Sequence, residues 1–525
     1  MSTFRNPLPH RSFRRVGAVV AAGAVATTLL AAAPTSAADR DFPEPTAHSQ
    51  KAYDPEADFT AKWTRADARQ VMAQQDASAS RGENSVPLSQ TMPEIPKDFP
   101  TMTDEVWVWD TWSLTDESAN QLSYKGWDVI FSLVAPRDIP FDDRHWNARI
   151  GYFFRPTNAD PTTTPWQYGG YLFPDDASIS TTEWSGSTRL IRGNTVQTFY
   201  TATTGPKGKR PGTEGKPAVI ASSFGKIHAD RNGVSFDGFS KHTKLLEPDG
   251  AMYQTPEQNQ SFAFRDPFTF EDPAHPGKTF MVFEGNSAGE RGSEATKCDA
   301  SDLGYRKGEE NAETVDEVNG SGAFYQRANI GLAVAENKDL TRWKLLPPLL
   351  SANCVNDQTE RPQIYIQREN GRLKYYLFTI SHQFTYAAGT RGPDGVYGFV
   401  GDGIRSDYKP LNDSGLVLGS PTDLNLPPDR PESPTQGQNP RQFQAYSHYV
   451  QPNGLVQSFI DNVDGRRGGT LAPTVKINFF GGKSTVDREF GDNGLGPYGW
   501  LPTNKHVGGN GFTKAPAVPR AEKRG

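Results

Sequence analysis

Short runs in which apolar and polar residues alternate, separated by turns rich in Gly, Pro, Asn and Asp, recur along this chain from about Met102 to Phe480. A period of two marks a half-buried strand. The clearest run opens the series. Val106-Trp107-Val108-Trp109 alternates β-branched and aromatic residues, the types that suit a pleated surface, and leads into Asp110 between Trp109 and Trp112. The pattern predicts further strands at 127–134, 149–154, 170–173, 195–201, 218–222, 262–264, 279–283, 330–335, 363–367, 374–380, 454–460 and 474–479. Only 58–75 departs from it, with Phe59, Trp63, Ala66 and Ala73 on one face of a 3.6-residue period, which predicts a short helix lying against the main domain.

An all-β chain of many short strands can be a sandwich, a barrel or a propeller. The stretch is too long for one ordinary sandwich, and blades with generous loops would absorb it, so a propeller is preferred to a double sandwich. The 525 residues include 50 Gly and 41 Pro, in keeping with strands and long turns. A net charge of -6 gives no electrostatic case for a nucleic-acid partner, and the basic run Lys207-Gly208-Lys209-Arg210 reads as a solvated turn.

Arg5, Arg11, Arg14 and Arg15 precede an apolar run over 16–33 and the small-residue segment Thr35-Ser36-Ala37-Ala38. This is the build of a secretory signal peptide over 1–38, cleaved after Ala37 or Ala38. No second apolar span follows, so a secreted protein free of the membrane is expected. The expected layout is an N-terminal extension with a short helix at 39–100, the β-propeller domain at 101–504 and a disordered tail at 505–525. Cys298 and Cys354 are the only cysteines, and in an exported chain one pair reads as a disulfide, two buried thiols being the alternative. No Cys/His spacing suggests structural zinc.

Three clusters carry the candidate chemistry. The first is Asp110 among indoles, where a carboxylate is costly unless hydrogen-bonded or put to use. The second is Arg265-Asp266-Pro267 among Phe262, Phe264, Phe268 and Phe270, in which Arg265 is expected to keep Asp266 ionised. The third is Asp357-Gln358-Thr359-Glu360-Arg361-Pro362, just ahead of an apolar strand. Each alone could be a structural turn or ion pair. Together, at strand ends that a propeller would converge on its axis, they suit glycoside cleavage with retention, which needs a nucleophile and an acid/base about 5–5.5 Å apart.

Trp109-Asp110, Glu183-Trp184-Ser185-Gly186-Ser187, Arg265-Asp266-Pro267, Asp357-Gln358-Thr359-Glu360-Arg361-Pro362, Ser381-His382 and Tyr446-Ser447-His448 stand in order along the chain. Together they resemble glycoside hydrolase family 68, the bacterial levansucrases, inulosucrases and related β-fructofuranosidases. The resemblance implies a five-bladed β-propeller with a deep axial pocket, sucrose as donor, sugars or water as acceptors, and a monomer. It implies Asp110 as nucleophile, Glu360 as acid/base and Asp266 as transition-state stabiliser. Trp109, Trp184, Arg265, Gln358, Arg361, His382 and Tyr446 would contact sugar, Ser185 would orient Asp110, and Glu284 would brace the arginine.

Some members carry Arg where His382 stands, and a calcium site that uses the aspartate matching Asp357. The histidine and the cysteine pair point to a calcium-free branch, so no cofactor or metal is expected, and to short transfer products or hydrolysis rather than long polymer. An invertase-type hydrolase and a non-catalytic carbohydrate-binding propeller are the rival readings.

Overall fold

A computed structural model describes residues 52–80, 87–157, 159–175, 177–203, 218–306, 313–421, 444–503 and 505–508. The signal peptide, the basic run at 207–210 and the end of the tail at 509–525 lie outside the described residues. Among those described, the strands group into five antiparallel meanders. The first runs outward through Val106–Thr115, Trp127–Pro136, Arg149–Pro156 and Gln167–Tyr171. The second uses Thr182–Arg192, Thr195–Thr203, Val219–Asp230 and Gly233–Asp237. The third uses Phe264–Glu271, Thr279–Asn286, Ala328–Ala335 and Trp343–Ser351. Glu360–Glu369, Arg372–Ser381, Gly395–Gly401 and Leu416–Gly419 build the fourth. Ala445–Val450, Leu455–Val463, Arg466–Leu471 and Val475–Phe480 build the fifth.

The first strand of each meander adjoins the first strand of the next, and the fifth returns to the first. Each meander is therefore a blade, and the all-β propeller reading holds. The core is aromatic and aliphatic packing between blades, with Trp109, Trp112, Phe131, Tyr376 and Tyr397 all buried.

Every innermost strand breaks register, at Trp109/Thr111, Trp184/Gly186, Arg265/Phe268, Glu360/Gln363 and Tyr446/Tyr449, and the second blade's strand does so again at Leu190/Arg192. A bulge inserts a residue without a ladder partner and re-aims its side chain. The residues so released are Asp110, Ser185, Asp266, Arg361 and Ser447. Three of them sit at positive φ: Asp266 at 62°, Arg361 at 46° and Ser447 at 52°. Pro267 and Pro362 follow two of them, and a residue without an N–H is tolerated inside a sheet where pairing already lapses.

Several expectations are corrected. The helix runs Arg65–Ser80, because Thr64 and Asp67 cap it reciprocally, Thr64 N–H donating to Asp67 Oδ2 at 2.9 Å and Asp67 N–H to Thr64 Oγ1 at 3.2 Å. Upstream, Ala61–Lys62 is a short strand parallel to Leu350 and Ser351 of the third blade. The buried helix face is Arg65, Ala68, Val71, Gln75 and Ser78, whereas Ala73 and Phe59 are exposed. The strand expected at 170–173 lies at Gln167–Tyr171. Thr182–Arg192, Trp343–Ser351, Gly395–Gly401 and Ala445–Val450 are strands the alternation missed. The disordered tail expected from Lys505 begins instead with His506–Val507 paired to Ser123–Tyr124. No helix among the described residues is long and apolar enough to cross a membrane.

Candidate active site

The five bulges face one cavity of about 240 Å³. Trp109, Asp110, Trp184, Ser185, Arg265, Asp266, Gln358, Glu360, Arg361, His382 and Tyr446, all singled out in the sequence, line it. So do Ser447, quoted in the sequence without a role, and Arg144, His145, Trp146, Phe384, Phe459 and Asp461, which the sequence reading passed over. The segment 141–147 is a 3-10 turn whose charged and aromatic residues lie side by side, the same signal that drew attention to the other three clusters.

Asp110 leaves the first blade between the buried indoles Trp109 and Trp112. Its Oδ2 accepts from the Ser185 hydroxyl of the second blade, and its Oδ1 from the Ser447 hydroxyl of the fifth. One serine on each oxygen fixes the rotation of the carboxylate. Asp266, from the third blade, accepts the Arg361 backbone N–H at Oδ2, 3.1 Å, and donates its own N–H to Thr201 Oγ1, 2.8 Å. Glu360, from the fourth, accepts Arg265 Nη2 at 2.9 Å and the Tyr446 hydroxyl at 2.7 Å. Three blades thus each supply one acid to a single cavity.

One guanidinium joins these acids. Arg265 reaches Glu360 through Nη2 and Glu284 through Nε, with Asp266 Oδ2 3.9 Å away. Glu284 does not line the cavity. It lies behind Arg265, fully buried, and its Oε1 also accepts the Thr359 N–H at 3.0 Å. Burial pushes Asp266 up to about 7 and Glu284 to about 8, more than Arg265 can offset, because that one cation is shared among three carboxyls that also repel one another. Arg265 does favour the ionised form of Asp266, as expected, but burial works against it.

Arg361 lines the cavity and is also anchored within the ring. Its guanidinium donates to the Ser447 and Thr111 carbonyls, the latter at 2.6 Å, so it ties the fourth blade to the fifth and the first. His382 stacks on Tyr446 with ring centroids 3.6 Å apart and places Nε2 4.0 Å from Glu360 Oε2. Its Nδ1 faces the buried Asp394 at 2.9 Å. Burial opposes charge on His382, yet Asp394 and Glu360 together raise its pKa. His145, buried beside Arg144, is held well below the usual imidazole range. Trp184 and Trp146 stand 6.1 Å apart at the cavity wall.

Asp357 points away from a cation site. Its Oδ1 accepts the Arg327 N–H at 3.2 Å, and Arg291 Nη2 lies 3.6 Å from Oδ2. Arginine on that carboxylate does not fit a bound calcium, and among the described residues no group of three or more His, Cys, Asp or Glu is placed to hold a metal. Cys298 and Cys354 are joined as a disulfide. It fastens the loop after the third blade's second strand to the segment that leads into Asp357 and Glu360.

A propeller whose axis gathers a hydrogen-bonded aspartate, a buried aspartate and a glutamate on an arginine, walled by indoles, has the make-up of a glycoside-cleaving enzyme. The chain belongs to glycoside hydrolase family 68, the levansucrase/invertase family, whose model matches residues 52–502. A levansucrase of Gluconacetobacter diazotrophicus is 55% identical over 483 residues, 88% of this chain and 82% of the relative. The crystal structure of levansucrase from that organism superposes with a TM-score of 0.81, covering 89% of this chain and 97% of the other. The full-length β-fructofuranosidase of Microbacterium saccharophilum K-1 gives 0.80 at 55% identity, covering 91% and 92%. An extracellular sucrase of Zymomonas mobilis is 41% identical over 85% of this chain and 95% of its own.

Proposed function

We propose that this protein is a secreted β-fructofuranosyltransferase that cleaves sucrose by a retaining double displacement and passes the fructosyl group to a sugar, a growing fructan or water. The single observation that carries the reading is the convergence of Asp110, Asp266 and Glu360, from three different blades, on one cavity. Asp110 attacks the anomeric carbon C2 of the fructosyl unit while Glu360 passes its proton to the departing glucose oxygen. The fructosyl–Asp110 ester then yields to an acceptor hydroxyl, whose proton returns to Glu360. Asp266 hydrogen-bonds fructose hydroxyls, and Ser185 and Ser447 keep Asp110 aimed at C2.

Arg265 and Tyr446 hold Glu360 in place through the contacts given above. Trp109 and Trp184 offer apolar faces to sugar C–H surfaces. All the lining residues belong to one chain, which supports action as a monomer, and the residue pattern over 1–38 supports export from the cell.

Incubation with sucrose, with glucose and fructose followed separately, tests this. Glucose in excess of free fructose is expected. Equal amounts would make the enzyme a hydrolase, and release of neither would reduce it to a binding protein.

A further inference from the structure

Away from the axis, a second cavity of about 450 Å³ opens at the seam between the first and fifth blades. Its walls come from the segment leading into the first blade (Pro100, Met102), the loop before that blade's outer strand (Thr163, Trp166) and the fifth-blade side (Thr470, Tyr498). It shares no lining residue with the catalytic cavity.

Its floor holds a buried arginine. Arg155 is only 2% exposed, yet its Nε meets no hydrogen-bond acceptor among the described residues. Trp166 covers the guanidinium at 4.5 Å from the ring centroid. Buried arginines are ordinarily satisfied, since an enclosed donor without an acceptor costs on the order of 1–3 kcal/mol. Asp128, opposite Arg155 on the neighbouring strand, balances the charge through space.

Among the described residues Arg155 Nε therefore lacks an acceptor while the guanidinium has a counter-charge, and every other residue lining the cavity is uncharged. An anion would find one arginine already balanced by an aspartate. A neutral polyhydroxylated ligand would supply acceptors to Arg155, meet the threonine hydroxyls at the rim and lay its C–H surface against Trp166 and Tyr498. We propose that this seam cavity is a second, non-catalytic carbohydrate site that holds a fructo-oligosaccharide chain while the axial pocket works on sucrose. The choice of fructoside as ligand rests on the transferase reading above.

The test is calorimetry of the full chain carrying Asp110→Asn, which removes turnover, with short levan-type and inulin-type oligosaccharides as probes. Two saturable sites are expected, one of which disappears with Arg155→Met or with Tyr498→Ala at the rim. In the chain with Asp110 intact, those two substitutions leave glucose release at saturating sucrose within about twofold and shorten the transfer products. A single site, or a second site untouched by both substitutions, overturns the proposal. So does a cavity that takes phosphate or citrate and ignores oligosaccharide. Failure of the transferase reading shows separately, as absence of glucose release from sucrose whatever the oligosaccharide count.

Discussion

Asp110 takes one serine hydroxyl on each oxygen, from two different blades, so its direction is set before any substrate arrives. Removing its charge removes the nucleophile while sparing the packing. Asp110→Asn is expected to lower sucrose turnover on the order of 10⁴-fold or more, with an unchanged thermal midpoint. A loss of less than about tenfold would take the nucleophile's role from Asp110. The buried acids make a second prediction. Asp266 and Glu284 bind protons more tightly folded, up to about 7 and about 8, than in an unfolded chain, at roughly 4. Their contribution is whole below the unfolded value and fades as pH rises through the folded ones, so the melting temperature should fall between about pH 4 and pH 8. Glu284→Gln should flatten that slope, as scanning calorimetry across the range will show. Asp110, Asp266 and Glu360 were legible in the sequence because a charge beside indoles, prolines or arginines at a strand end is unusual. The bond from Ser447 to Asp110 was not, although Ser447 stood in a quoted motif, and Arg144 and Asp461 were not, because a charge in a short turn or at the end of an apolar strand reads as ordinary surface. The bonding partners of Arg361 were equally hidden, since a side chain that answers carbonyls of two other blades leaves no local trace.

At the scale of the element, the bulge explains what alternation could and could not reveal. Outer and middle strands such as Trp127–Pro136 and Arg372–Ser381 pack on neighbouring blades and keep their apolar runs. Thr182–Arg192 and Ala445–Val450 face the axis, carry Ser, Gly and His where the pocket needs small or polar groups, and so lost their signature. Gly186 shows how tight that inner layer is. A methyl group there would stand 1.8 Å from the Phe199 carbonyl oxygen on the paired strand. Gly186→Ala should push the two strands apart beside Ser185 and cost roughly 1–3 kcal/mol or more, read as a lower denaturation midpoint together with a loss of turnover. The helix teaches the reverse lesson. Its predicted face failed because the Thr64–Asp67 cap starts it at Arg65 and rotates the buried stripe onto Arg65, Ala68 and Val71.

Across the molecule, the N-terminal segment laces blades together. Ala61–Lys62 extends the third, while Gln74 reaches the Asn412 carbonyl and accepts from Ser414 in the fourth. Arg65 donates to the Cys354 carbonyl and pairs with Glu313, which binds the helix to the disulfide-bearing segment. Closing a loop of 56 residues, the Cys298–Cys354 bond should contribute roughly 2–4 kcal/mol. Reduction should therefore lower the melting temperature by several degrees, measurable with and without thiol. Chelator should change neither stability nor turnover, since arginine already answers Asp357. The propeller class was legible because strand count and length add along the chain. The closure of the ring was not, since it depends on which distant strands meet.

The distribution of the chemistry has one more outcome. Because every blade bends one residue toward the axis, no fragment of this polypeptide owns a usable share of the reaction. A protease that nicks an outer turn should leave a fully competent enzyme, and one that releases any single blade should leave none. Activity along a limited digest ought then to track the amount of unbroken ring, with no partially competent species in between.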